Sequence, residues 1–139
     1  MPFVQRQMGA FFHIALRMRN DYPDIAKRFL ASRIPELIAE GNPKYVAGTS
    51  GADWYLQLLD EDGIIYDIEE FRYVAVEADD AYWVGWVIAY YQWLRDISFA
   101  KIFCIPLNIL LDAYYPLHEA DITKAVEFID AMLLKYATQ

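Results

Sequence analysis

The run Tyr82-Trp83-Val84-Gly85-Trp86-Val87-Ile88-Ala89-Tyr90-Tyr91-Gln92-Trp93-Leu94 decides the fold class. Trp83, Trp86, Tyr90 and Trp93 recur at spacings of three, four and three, which places them on one face of a helix. Val84, Val87, Ile88 and Tyr91 fall beside and behind that face. A helix that is apolar nearly all round is expected at the centre of its domain. Gly85 and Ala89, four residues apart, leave room for a second helix to approach closely.

Working outward, the same period recurs on both sides. Phe3 to Met18 carries Val4, Met8, Phe11, Phe12, Ala15 and Met18 at helical spacing. Asn20-Asp21-Tyr22-Pro23 predicts a turn, followed by a short helix over Asp24 to Ala31 with Ile25, Phe29 and Leu30 inward. Pro35 opens a further turn or two, Gly41 closes it, and Asn42 to Tyr45 reads as loop. Ser50 with Asp53 three residues on forms a capping box for a helix from Gly51 to Asp60, which Gly63 stops. Tyr66, Ile68, Tyr73, Val74 and Val76 suit extended structure, so Ile64 to Val76 predicts a lone strand or hairpin, against the grain of Glu69, Glu70 and Phe71. Asp79 or Asp80 caps the central helix, Ser98 a short helix to about Phe103, and Pro106 begins another that ends near Tyr114-Tyr115-Pro116. A last helix starts around His118 to Asp121 and runs through Ile122, Val126, Ile129 and Met132. No repeat, linker or low-complexity tract divides the chain. The expectation is an all-α or mostly α single domain over residues 1–139.

Composition narrows the classes of function. Hydrophobic residues make up 57% of the chain and charged residues 23%, a balance that excludes intrinsic disorder. The most apolar run is broken by Gln92 and followed by Arg95 and Asp96, short of the roughly 20 residues a spanning helix needs. The start, Met-Pro-Phe-Val-Gln-Arg, lacks the basic and apolar regions of a secretory signal. With Cys104 the only cysteine, no intramolecular disulfide forms, and the expected compartment is the reducing cytoplasm. The net charge of −8 is uneven: residues 1–50 hold seven basic and four acidic side chains, residues 51–139 five and sixteen. This balance argues against a nucleic-acid partner, whose backbone is bound by Lys and Arg. It fits either a basic protein partner or a solvated acidic face.

Searching for chemistry returns little. His13, His118 and Cys104 lie far apart in the sequence, without CxxC or HExxH, so neither a zinc site nor any other metal or cofactor is expected. Asp60-Glu61-Asp62-Gly63 has its glycine at the wrong place for a calcium loop, and Phe71 stands where the closing Glu belongs. Gly48-Thr49-Ser50-Gly51 is not a nucleophile elbow. Cys104, between Phe103 and Ile105, reads as a core thiol. Ser98 to Tyr114 has the rhythm of a helix-turn-helix, but its second helix carries no Lys or Arg to meet phosphate. The aromatic stripe at helical spacing reads first as core. Its second reading is a groove in which Trp83, Trp86, Tyr90 and Trp93, with Trp54 and Tyr55, receive a partner peptide. Glu69 and Glu70 are the acidic residues assigned to a basic partner.

Gly41-Asn42-Pro43-Lys44-Tyr45, Tyr82-Trp83-Val84-Gly85-Trp86 with Tyr90-Tyr91-Gln92-Trp93, and Tyr115-Pro116-Leu117-His118-Glu119-Ala120-Asp121 together resemble a family of small uncharacterised bacterial proteins. The likeness covers most of the chain, with Ile97 standing before Ser98-Phe99 where that family tends to have Arg. Members of the family are often encoded near small predicted toxins. The resemblance therefore implies an antitoxin or other accessory role, and it brings no catalytic residues. The leading expectation is a non-enzymatic protein-interaction module. The alternative is a small enzyme or ligand-binding protein with a pocket lined by Trp83, Trp86 and Tyr90. A transcriptional regulator is disfavoured by the charge.

Overall fold

The computed structural model describes residues 2–18, 24–72 and 75–137, so the turn expected at Asn20 to Pro23, and Tyr73 and Val74, lie outside the described residues. Among the described residues the regular elements are helices, and the all-α expectation holds. They are α1 (Pro2–His13), α2 (Ile25–Ala31), α3 (Ile34–Ala39), α4 (Gly51–Glu61), α5 (Glu69–Arg72), α6 (Asp80–Arg95), α7 (Phe99–Ile102), α8 (Leu107–Leu117) and α9 (Ile122–Tyr136). Two π-helical turns join them, Ile14–Met18 after α1 and Lys44–Gly48 before α4.

The most extensive contact in the fold is between α1 and α6, followed by α1 with α4 and α6 with α8. Small residues make the first of these possible. A Cβ on Gly85 would stand 2.3 Å from the Met8 carbonyl oxygen and 3.0 Å from Gly9 Cα. A Cβ on Gly51 would meet Gln7 O and Phe11 N at 2.5 Å, so α4 also meets α1 backbone to backbone at its first residue. Around these contacts α1 inserts Val4, Met8, Phe11 and Phe12 into one hydrophobic cluster with Phe29, Trp54, Tyr55, Val84 and Ile88. Phe11 touches the rings of Phe12, Phe29, Trp54 and Tyr55 at centroid distances of 5.6–6.4 Å, in the tilted and edge-on arrangements that aromatic quadrupoles favour.

Local signals place most helix ends. Ser50 and Asp53 form the full capping box, with Asp53 N–H donating to Ser50 Oγ and Ser50 N–H donating to the Asp53 carboxylate. Ser98 caps α7 and Asp121 caps α9 through their side chains. Gly41 and Gly63 take the left-handed backbone that ends α3 and α4. At its far end α6 is tied to α9: the buried Tyr91 hydroxyl donates to Asp130, which also accepts from Arg95 at 2.8 Å. Burial, then the adjacent Asp130 carboxylate, pushes the Tyr91 phenol up to about 12.

Four expectations are corrected. The described part of Ile64 to Val76 forms no strand: Asp67 Oδ1 accepts from Glu69 N–H and starts the short α5, whose Phe71 packs on Tyr55 and Tyr66. The acidic pair therefore sits on a helix, where a lone strand would have had no partner for its backbone. The loop read at Asn42 to Tyr45 turns into the π-helical Lys44–Gly48. The stretch after His13 also widens to a π turn, whose extra residue rotates Met18 off the buried stripe and leaves it exposed. Cys104 is exposed rather than core, because it lies on the turn between α7 and α8 while Ile105 points inward. The end expected near Tyr114-Tyr115-Pro116 holds, since α8 closes at Leu117 with Pro116 inside its last turn.

Gly85→Ala should lower the unfolding free energy by about 3 kcal/mol, because the new methyl must displace backbone rather than a side chain, outweighing the ~1 kcal/mol gained in helix propensity. Urea denaturation followed by circular dichroism measures it; an unchanged or raised midpoint would contradict the contact.

Candidate functional site

The start of α6 collects the chain's polar side chains against its aromatic ones. Asp79 is the N-cap, and its Oδ1 accepts from Tyr82 N–H at 2.9 Å. Its Oδ2 lies 2.9 Å from Nδ1 of His13, the last residue of α1, which is only 3% exposed. A carboxylate only accepts, so Nδ1 carries the proton of this bond, while the buried Nε2 has no hydrogen-bond partner among the described residues. Next to it, Arg17 on the π turn donates to both oxygens of Asp80, at 2.6 and 3.2 Å. Burial works against ionising Asp80, but Arg17 and the Ala81 N–H outweigh it and hold the carboxyl below its usual value. The expected cap is thus Asp79, and Asp80 orients the arginine beside it.

From this corner opens a groove of about 330 Å³, lined by Asp79, Tyr82, Trp83, Trp86, Tyr114 and His118. The helix pair α6 and α8 builds it. Tyr114 and His118, one turn apart on α8 and its C-cap, stack with ring centroids 4.1 Å apart and planes at 14°. Trp83 meets Tyr114 edge-on at 6.0 Å. His118 Nδ1 donates to the Tyr114 carbonyl at 2.8 Å, which holds the imidazole over the phenol. From the groove the row continues along α6, with Trp86 parallel to Tyr90 at 6.1 Å and Tyr90 tilted against Trp93 at 6.1 Å.

The residues proposed from sequence fall into three groups. Trp83 and Trp86 line the groove, half-buried, while half-buried Tyr90 and 55% exposed Trp93 extend the row beyond it. Trp54 and Tyr55 are 0% exposed and face the Phe11 cluster, so they are core and wall no groove. Trp54 Nε1–H donates to Thr49 Oγ1 at 2.8 Å, which satisfies the indole inside the protein. Glu69 and Glu70 are exposed on α5 and do not line the groove. Sequence reading missed Tyr82, Tyr114 and His118 as members of the site. The i, i+4 spacing of Tyr114 and His118 was the available signal.

A larger cavity of about 580 Å³, lined by Leu16, Ile25, Leu30, Phe103 and Pro106 among others, gathers no comparable set of aromatic and polar groups. Among the described residues, no cluster of three or more His, Cys, Asp or Glu is placed to hold a metal ion, and no helix is long and apolar enough to cross a membrane. What the groove offers is two indoles, two phenols, an imidazole and a carboxylate, a set that recognises apolar and cationic groups. Comparison of the chain with family models, with curated proteins and with solved structures gives no match.

Asp79→Ala removes a helix cap and leaves a buried imidazole N–H without its acceptor. It should cost about 2–4 kcal/mol of unfolding free energy, and Asp79→Asn, which keeps one acceptor oxygen, about half as much. Chemical denaturation of both variants checks this; an Asp79→Ala protein as stable as the parent would show that the corner is not structural.

Proposed function

We propose that the chain is a non-enzymatic protein-interaction module of the cytoplasm whose partner is a basic protein. Neutralising a small toxin is the form of that role implied by its resemblance to bacterial proteins encoded near toxins. The observation that carries the reading is the outward half of the α6 stripe, where Trp83, Trp86, Tyr90 and Trp93 form a row that grades from half-buried to 55% exposed. Rings fixed on a rigid helix lose little conformational freedom on binding, and Trp and Tyr supply much of the energy at protein interfaces. The net charge of −8 favours encounter with a cationic surface. Ile65 and Ile68, both exposed, stand beside Glu69 and Glu70 and offer the same partner a second apolar and acidic patch.

The rival reading, a small enzyme, calls for an enclosed pocket holding a carboxyl whose proton affinity is raised for acid–base work. The shift at Asp80 runs the other way, held low by Arg17 over the opposing effect of burial. The same is true of Asp130, where the hydrogen bonds from Tyr91 and Arg95 outweigh burial. These are ion pairs that fasten helices, which favours the interaction reading.

Affinity capture of the tagged protein from its native lysate, with mass spectrometry, should give a basic partner in stoichiometric amount. Trp93→Ala, at an exposed position, should weaken that complex at least roughly tenfold, as should reversal of Glu69 and Glu70 to Lys. A protein that purifies without a partner, or a partner indifferent to both changes, would overturn the proposal.

A further inference from the structure

We infer that the groove between α6 and α8 is an aromatic cage for one arginine side chain of the partner, an inference that rests on the interaction reading and specifies its anchor. The volume of about 330 Å³ lies at the small end for binding pockets, suited to a single side chain rather than a large metabolite. Its walls are Tyr82, Trp83, Trp86 and Tyr114, the ring types that attract a cation held within about 6 Å. Asp79 completes it. Each of its oxygens accepts one hydrogen bond, from Tyr82 N–H and from His13, and each retains a second lone pair.

The electrostatics of both flanking helices select a cation over a neutral or anionic guest. The positive end of α6 is covered by Asp79 and Asp80, while Tyr114 and His118 belong to the C-terminal, negative end of α8. Arg17 is engaged mainly by Asp80, at 2.6 Å, and pairs with Asp79 only at the longer 3.9 Å, so the two carboxylates together outnumber the one guanidinium beside the groove. Glu77 and Glu119, both exposed, adjoin Ala78 and His118 on the rim. Arginine fits better than lysine, since a planar guanidinium both stacks on aromatic faces and pairs with a carboxylate through directed N–H groups. Because the chain is acidic, a basic partner brings such side chains in number.

The test uses the wild-type protein and three probes: the tripeptide Ac-Ala-Arg-Ala-NH2, the same peptide with uncharged citrulline in place of arginine, and choline. Indole N–H signals followed by nuclear magnetic resonance, assigned through Trp83→Phe and Trp86→Phe, report on each tryptophan separately. The arginine peptide should shift Trp83 and Trp86 saturably in the millimolar range, leave the buried Trp54 unmoved, and bind roughly tenfold more tightly than the citrulline peptide. Equal binding of the arginine and citrulline peptides, shifts confined to Trp93, or no shift at all would overturn the cage. Choline binding more tightly than the arginine peptide would also overturn it and assign the groove to a small ammonium compound. If the cage fails while Trp93→Ala still releases the captured partner, the interaction reading stands without it. A partner indifferent both to Trp93→Ala and to reversal of Glu69 and Glu70 removes that reading whatever the peptides do.

Discussion

The Met8 carbonyl stands where a side chain at position 85 would begin, 2.3 Å from the place a Cβ would take, and this backbone contact fixes how α6 is rotated. At about 100° per residue, Trp83, Trp86, Tyr90 and Trp93 centre about 120° away from Gly85, and Val84, Val87, Ile88 and Tyr91 about as far on the other side. The second group is covered by α8 and α9, where Leu110, Phe128 and Ile129 close over Val84, Val87 and Ile88. Among the described residues the first group is covered only in part, by Tyr114 and His118 beside Trp83, so the aromatic row grades from half-buried Trp83 to exposed Trp93. One contact between two helices thus decides which aromatic residues are core and which form a surface.

Polar interactions then fasten the two ends of α6. At its start, Asp79 bridges the helix to buried His13 and Asp80 bridges it to Arg17, so the last turn of α1 and the π turn after it are held against the N-terminus of α6. At its end, Tyr91 and Arg95 converge on Asp130 of α9. Both clusters combine a partly exposed ion pair with a group buried behind it, and the buried member adds to what an exposed pair alone contributes. The groove inherits this rigidity, since Asp79 belongs to the first cluster and Trp83 follows one turn later.

Helix content was legible because the period of apolar residues and the capping signals agreed at Ser50 and Ser98, and Gly85 marked where a second helix comes close. The glycine was read for what it does, since its value lies in the close approach it permits. The orientation of the stripe was not legible. A helix apolar on most of its surface gives no sequence sign of which face its neighbours leave open, and that depends on α8 and α9, far along the chain. Trp54 and Tyr55 misled for the same reason: their composition matches an interface, yet the capping box at Ser50 turns them toward Phe11. Cys104 misled in the opposite sense, since apolar neighbours on a tight turn do not share its direction. Part of the site was half-visible, because Asp79 was identifiable as a cap while its bond to His13, 66 residues away, was not.

The central claim is that α6 turns its aromatic row outward, and its most direct measurement is the solvent accessibility of the four tryptophans. With 5-fluorotryptophan in the protein, relaxation of each fluorine signal by a neutral soluble gadolinium chelate ranks their exposure. The account predicts the order Trp93 first, Trp83 and Trp86 between, and Trp54 last and near zero. Trp83 and Trp86 as protected as Trp54, or Trp93 protected with them, would mean that the row is core and would contradict the account.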